Sequence, residues 1–254
     1  MAAEAGPKSS AARPTPPPPG DTVHVWHGRL PTRPQAVAPE ALALLSAEER
    51  ARIAGAADPA AGSRYAAVRL AVREVLHGYL GVAPGRIRFA PTPCCRCGSE
   101  RHGRPRIAWP PTALHLSVSR SGPHWLLAVA AGGPVGVDVE RHRAVDVARM
   151  APACLTASER SQMAGADEPV RTRAFFRCWT RKEAVLKGCG VGLAADLAAL
   201  DVHPREHPVA RVAQSACSCA REWVVQDLTC GPECSAALAR PAECAGPVLL
   251  RAFP

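Results

Sequence analysis

Residues 64–80 (RYAAVRLAVREVLHGYL) set Val68, Val72, Val75, Leu76 and Tyr79 along one stripe of a 3.6-residue period, which predicts an amphipathic helix. A second helix is predicted over 170–188, its apolar side supplied by Phe175, Cys178, Trp179, Val185 and Leu186. Between them the period changes to two. Residues 114–119 (LHLSVS) alternate like a strand, and 125–130 (WLLAVA), the turn AGGP and 135–140 (VGVDVE) predict a hairpin. In that last segment Val135, Val137 and Val139 face the core, while Gly136, Asp138 and Glu140 face the opposite side. Residues 221–228 are also strand-like.

The pattern repeats. Ser46-Ala47-Glu48-Glu49 and Thr156-Ala157-Ser158-Glu159 are both capping boxes, offset by 110 residues. Arg73-Glu74-Val75-Leu76 and Lys182-Glu183-Ala184-Val185 echo each other at an offset of 109, each followed by Gly-Val. Two matches at nearly one offset predict an internal duplication. The expected fold is α+β, a pair of similar subdomains with mainly antiparallel sheets. Residues 1–20 are a disordered Pro-rich leader, 21–131 the N-terminal half and 132–254 the C-terminal half.

Composition narrows the partners. The 254 residues carry a formal charge of +9, which favours an anionic partner: a phosphorylated small molecule, an acidic protein or nucleic acid. Aromatics are only 4% and no dense Arg run exists, so nucleic acid is the minor option. No signal-peptide core or membrane-length apolar run is present, and the expected location is cytoplasmic. Of 31 Lys plus Arg only three are Lys: Lys8 in the leader, and Lys182 and Lys187 around Glu183. A chain that uses Arg almost everywhere departs from its habit here. Lys is a compact charge whose proton can be moved, and Trp179, Glu183 and Lys187 share one helix face. Asp138 and Glu140 on one strand face, beside a Gly that leaves room for a ligand, suit Mg²⁺. With Glu183 they make a three-carboxylate set.

Gly136-Val-Asp138-Val-Glu140, followed by Trp179-x-x-Lys182-Glu183-Ala-x-x-Lys187, resembles the signature of the two-half (Sfp-type) 4′-phosphopantetheinyl transferases. The resemblance covers roughly residues 21–205. It implies two α+β halves with coenzyme A between them, and transfer of its phosphopantetheine arm to a serine of an acidic apo carrier protein, releasing 3′,5′-ADP. By that resemblance Asp138, Glu140 and Glu183 hold Mg²⁺, Glu183 helps deprotonate the serine, and Lys187 neutralises the departing ADP. Arg52, Arg64, Arg104 and Ser117 align with coenzyme A contacts. Val118 stands where the family has His, and Arg120, of the same strand parity, is the candidate replacement charge. One cleft within one chain implies a monomer, and the two-half layout resembles the branch serving polyketide and nonribosomal peptide synthases.

Two other readings compete. A Mg²⁺-dependent phosphohydrolase or nuclease on the same acids would need further His or Asp residues and a polymer groove, and no such cluster is evident in the sequence. A catalytically impaired carrier-binding protein would leave the lysines unexplained. Separately, Cys94, Cys97 and His102, with Cys95 between, offer ligands for a structural Zn²⁺, weighed against an unmetallated Cys-rich loop as the favoured reading.

Overall fold

The computed structural model describes residues 15–32, 35–100, 103–192, 195–205, 208–214 and 221–254. The chain runs β1 (Val23–Arg29), α1 (Pro39–Leu42), α2 (Ala47–Ala54), α3 (Pro59–Leu80), β2 (Arg88–Pro91), β3 (Pro105–Trp109), β4 (His115–Ser121) and β5 (His124–Ala130). It continues through β6 (Gly136–Arg141), α4 (Val147–Cys154), α5 (Ala157–Met163), α6 (Glu168–Cys189), β7 (Val209–Gln214), β8 (Arg221–Asp227), β9 (Cys234–Pro241) and β10 (Val248–Ala252).

The duplication is visible in the helices. Both long helices, α3 and α6, have 22 residues and end on a left-handed glycine, Gly81 at φ 66° and Gly190 at φ 78°. Both capping boxes form, at the N-termini of α2 and α5. The two sequence echoes turn out to touch. Capping-box Glu49 meets Arg73 of α3 at 2.7 Å, and capping-box Glu159 meets Lys182 of α6 at 2.6 Å. In each half a buried ion pair therefore fastens the short helix to the long one, and its carboxylate also satisfies the orphan N–H of the cap residue.

The strands form a six-stranded sheet, β10-β1-β5-β4-β3-β2, and a four-stranded sheet, β6-β9-β8-β7. One face of the first sheet (Leu116, Trp125, Leu127, Val129) packs on Val68, Val72, Val75 and Leu76 of α3. Its other face (Val23, Val25, Leu126, Ala128) packs on Val135, Val137, Val139 and Leu238 of the second sheet. The far face of that second sheet carries α6. The order of layers is helix, sheet, sheet, helix.

The predicted 125–140 hairpin does not form. Every residue of β5 is buried, and both its edges are already paired, to β1 and to β4. An all-apolar strand of that kind belongs in the middle of a sheet. After the Gly-Gly-Pro turn β6 enters the other sheet, pairing antiparallel with β9. β10, within the segment assigned to the C-terminal half, returns to pair parallel with β1, covering an edge that would otherwise leave backbone groups unpaired. At the other end, residues 15–20 of the expected leader are described, and the Thr15 N–H donates to the Gly78 carbonyl at 2.8 Å. Residues 1–14 lie outside the described part.

Gly136 has a different role from the one its sequence setting suggested. A Cβ there would fall 1.9 Å from the Ala184 carbonyl oxygen and 2.5 Å from the Gly188 nitrogen. The missing side chain makes room for the backbone of α6, not for a ligand. Gly136→Ala is expected to cost about 3 kcal/mol through this overlap, read as a lower urea midpoint. An unchanged midpoint would mean that α6 can back away from β6 freely.

Candidate active site

The close approach at Gly136 sets α6 directly over β6. Asp138 is one pleat along the strand, and Glu183 and Lys187 lie on the overlying helix face. These three, with Glu140 and Trp179, line a cleft of about 430 Å³. Its opposite wall comes from the first half: Arg52 of α2, Tyr65, Val68 and Arg69 of α3, and Val118, Ser119 and Arg120 of β4.

The acids carry unsatisfied capacity. Asp138 is 3% exposed, and its Oδ1 accepts from Lys187 Nζ at 2.6 Å and from Ser119 Oγ at 2.7 Å. Asp138 Oδ2 and Glu183 Oε1 are buried with no hydrogen-bond partner among the described residues. Buried carboxylate oxygens without partners are costly, and a cation between them would remove that cost. Burial outweighs the pull of Lys187 and raises the Asp138 carboxyl above the ordinary carboxylate range. Burial first, then the charge of Asp138, pushes Glu183 up to about 7 against the pull of Lys187.

Glu140 is half-open, with Oε2 accepting from Ser121 Oγ at 2.6 Å and from Arg143 at 2.9 Å. Among the described residues no three His, Cys, Asp or Glu side chains close into a metal cage. Mg²⁺ retains waters and binds through one or two carboxylates plus substrate phosphate. The two orphan oxygens, with Glu140 beside them, fit such an ion.

The cationic wall has the complementary surplus. Tyr65 has the Arg52 guanidinium at 4.7 Å and that of Arg120 at 5.8 Å from its ring centre. Burial, followed by the nearness of Arg52, lowers the Arg120 pKa, and Arg64 adds to the effect. Such crowding of guanidinium groups around an aromatic ring suits a polyphosphate. Arg64 itself pairs with Asp58 at 3.2 Å and, with Arg29, Arg120 and Arg141, lines an adjoining hollow of about 620 Å³.

Residues 134–239 match the model of the 4′-phosphopantetheinyl transferase superfamily. Over 178 residues the chain is 32% identical to 4′-phosphopantetheinyl transferase HetI of Nostoc sp., an alignment covering 68% of this chain and 71% of the relative. The chain belongs to the 4′-phosphopantetheinyl transferase superfamily. It is also 27% identical over 131 residues to 4′-phosphopantetheinyl transferase Sfp of Bacillus subtilis, across 52% of this chain and 54% of that one. The chain is thus an enzyme that transfers phosphopantetheine to carrier proteins.

Not every residue picked from the sequence of the transferase reaches the cleft. Arg52, Arg120, Asp138, Glu140, Glu183 and Lys187 do. Arg104 lies beyond Lys187, donating to the Gly188 carbonyl at 2.9 Å and lining a separate pocket of about 170 Å³. Ser117 is 4% exposed, and its hydroxyl accepts from the Val137 N–H at 3.1 Å. Lys182 is absent from the cleft altogether. It is 1% exposed, bound to Glu159 and to the Leu197 carbonyl at 2.8 Å. Its ammonium serves the fold, tying α6 to Glu159 and to the Leu197 carbonyl, and not the cleft.

Sequence reasoning missed Tyr65, Ser119 and Ser121. The signals were present: Tyr65 is one of only two tyrosines, and Ser117, Ser119 and Ser121 share one strand face. Of the proposed zinc ligands, His102 lies outside the described residues. Cys94 is packed into the apolar core beneath α6, and Cys95 Sγ donates to the Cys189 carbonyl at 3.5 Å.

Proposed function

We propose that the cleft between the halves is where coenzyme A and an apo carrier protein react, with Mg²⁺ held by Asp138, Glu183 and Glu140. The observation that carries this reading is the pair of orphan carboxylate oxygens, on Asp138 and Glu183, facing a cluster of arginines across one cleft. Bound Mg²⁺ would supply charge neutralisation to the pyrophosphate and its leaving oxygen. Arg52 and Arg120, with Arg64 at the adjoining hollow, grip the phosphates of coenzyme A. Tyr65 keeps the two guanidinium groups of the cleft apart and aimed. Val118, standing where the family has His, is an apolar part of the wall, and Arg120, of the same strand parity, supplies the replacement charge.

The carrier serine hydroxyl attacks the β-phosphorus of the coenzyme A pyrophosphate. The new P–O bond forms as the bond to 3′,5′-ADP breaks. Glu183, whose burial raises its basicity, takes the serine proton directly or through water. Lys187 sits between Asp138 and the cleft, where its charge offsets that developing on the leaving group. The +9 charge favours an acidic carrier, such as those of polyketide or nonribosomal peptide synthesis. All these groups come from one chain, which supports a monomer. Among the described residues no helix is long and apolar enough to cross a membrane, in keeping with a cytoplasmic reaction.

The test is intact mass of an apo carrier after incubation with the protein, coenzyme A and Mg²⁺. A gain of one phosphopantetheine arm, lost with EDTA, is expected. No gain on any of several carriers would overturn the reading. Lys187→Arg keeps the charge but puts a planar fork where a single nitrogen bridges Asp138 Oδ1 and Ser119 Oγ. Displacing those partners is expected to lower kcat roughly 10²-fold. Unchanged turnover would show that any cation suffices there.

A further inference from the structure

The two sheets meet along a line that is not a backbone ladder. β6 is the edge of its sheet, so alternate N–H groups point away from β9. Three of them, on Val137, Val139 and Arg141, donate to the hydroxyls of Ser117, Ser119 and Ser121 on β4, at 3.1, 3.3 and 3.0 Å. Serine, with its short side chain, spaces the strands one hydroxyl apart and leaves each hydroxyl proton free to donate. Two of those protons go to the acids of the cleft. Ser119 Oγ donates to Asp138 Oδ1 at 2.7 Å, and Ser121 Oγ donates to Glu140 Oε2 at 2.6 Å.

Resting on the assignment of Mg²⁺ to this cleft, we propose that Ser119 and Ser121 are positioning residues for the cation. Each locks one carboxylate so that its other oxygen is presented to the ion. Ser119 has no spare capacity. Its hydroxyl donates once, to Asp138, and accepts twice, from the Val139 N–H and from Lys187 Nζ at 3.0 Å. Its orientation is therefore fixed, and with it the carboxyl plane of Asp138. Oδ1 is consumed by Ser119 and Lys187, and Oδ2 is left buried without a partner among the described residues, in the same cleft as the orphan Oε1 of Glu183. Ser121 divides Glu140 in the same way, together with Arg143. The alternation of serines on β4 against acids on β6 thus couples the seam between the halves to the ligand geometry. Ser117 fits the pattern by exception, because the position facing it is Gly136, which has no carboxylate to hold.

The experiment uses the full chain with Ser119→Ala, Ser121→Ala and the conservative Ser119→Thr, which keeps a hydroxyl. Direct binding of Mn²⁺ to the metal-free protein is counted by loss of the free-ion electron paramagnetic resonance signal, without coenzyme A. In parallel, the Mg²⁺ concentration for half-maximal transfer and the KM for coenzyme A at saturating Mg²⁺ are measured. Loss of a group orienting a metal ligand costs 10–100-fold in affinity. Ser119→Ala is accordingly expected to weaken Mn²⁺ binding and raise the Mg²⁺ requirement by at least about tenfold, with KM for coenzyme A within about twofold. Ser119→Thr is expected to recover most of the loss, and Ser121→Ala to show a smaller shift of the same kind. Far-ultraviolet circular dichroism checks that each variant is folded.

Parent-like Mn²⁺ binding by folded Ser119→Ala would overturn the proposal, as would Ser119→Thr no better than Ala. A parent protein whose transfer ignores EDTA would overturn the metal reading itself, a different outcome from a Mg²⁺-dependent parent with indifferent serine variants. If Ser119→Ala fails to fold, Ser119→Thr and Ser121→Ala decide: Mn²⁺ affinity unchanged in Ser121→Ala overturns the proposal for the pair.

Discussion

Glu183→Gln is expected to lower phosphopantetheine transfer by about 10²–10⁴-fold, the range for loss of a positioned base. It removes a carboxylate whose Oε1 has no partner among the described residues and whose basicity burial raises. The same substitution should reveal what that arrangement costs the fold. The Glu183 carboxyl titrates at about 7 in the folded protein against an ordinary 4.5, so without metal the folded state holds this proton more tightly than the unfolded chain does. Stability must then be greatest below about pH 4.5 for this group and fall as pH rises towards about 7. Melting of the metal-free protein in EDTA across that window should show the decline, and Glu183→Gln should lessen it, leaving the part that the raised Asp138 carboxyl contributes. A parent with no such slope, or a Gln variant that transfers at the parent rate, would rule out Glu183 as the buried base. A group that weakens the empty fold while serving the reaction is the usual signature of a working site.

The second large effect is on stability alone. Glu159→Ala is expected to destabilise the protein by about 3–5 kcal/mol, because it strands Lys182 as an unpaired buried charge. Both side chains are at most 1% exposed, and the Glu159 carboxylate also receives the N–H groups of Thr156 and Val202, at 2.9 and 3.0 Å. Urea unfolding measures the loss. Glu159→Gln combined with Lys182→Met removes both charges together and keeps an acceptor for the backbone, and should recover more than half of it. A loss under about 1 kcal/mol for Glu159→Ala would show that the pair is not what joins α5 to α6. Arg73 with Glu49 is the matching pair in the first half, but Arg73 Nη1 has no hydrogen-bond partner among the described residues.

The sequence by itself determined what is local. Periodicity located both long helices, because an apolar stripe at helical spacing has one way to be buried. The capping boxes marked where α2 and α5 begin, and their common offset with the long-helix echoes exposed the duplication. The alternation of Val135, Val137 and Val139 with Gly136, Asp138 and Glu140 was legible for the same reason. A strand's period of two assigns faces before any partner is known. The acids could be named because they share one strand face, Lys187 because it departs from the chain's Arg usage, and their roles because the two motifs resemble a family signature.

Tertiary structure alone decided which strand pairs with which, and which charges meet. The pattern of β5 says that both faces are buried, but its edges go to β1 and β4 only because those strands are at hand, which sends β6 to the other sheet. Gly136 looked like room for a ligand and is room for α6, a distinction set by a helix some fifty residues later in the chain. Lys182 and Lys187 lie in one ten-residue stretch and read alike as exceptions to Arg usage. They project on different sides of α6, so one is locked to Glu159 in the core and the other to Asp138 in the cleft. The physical reason is common to all of these. A residue's type and period fix what it requires, whereas the partner that satisfies the requirement is chosen by the packing of distant segments.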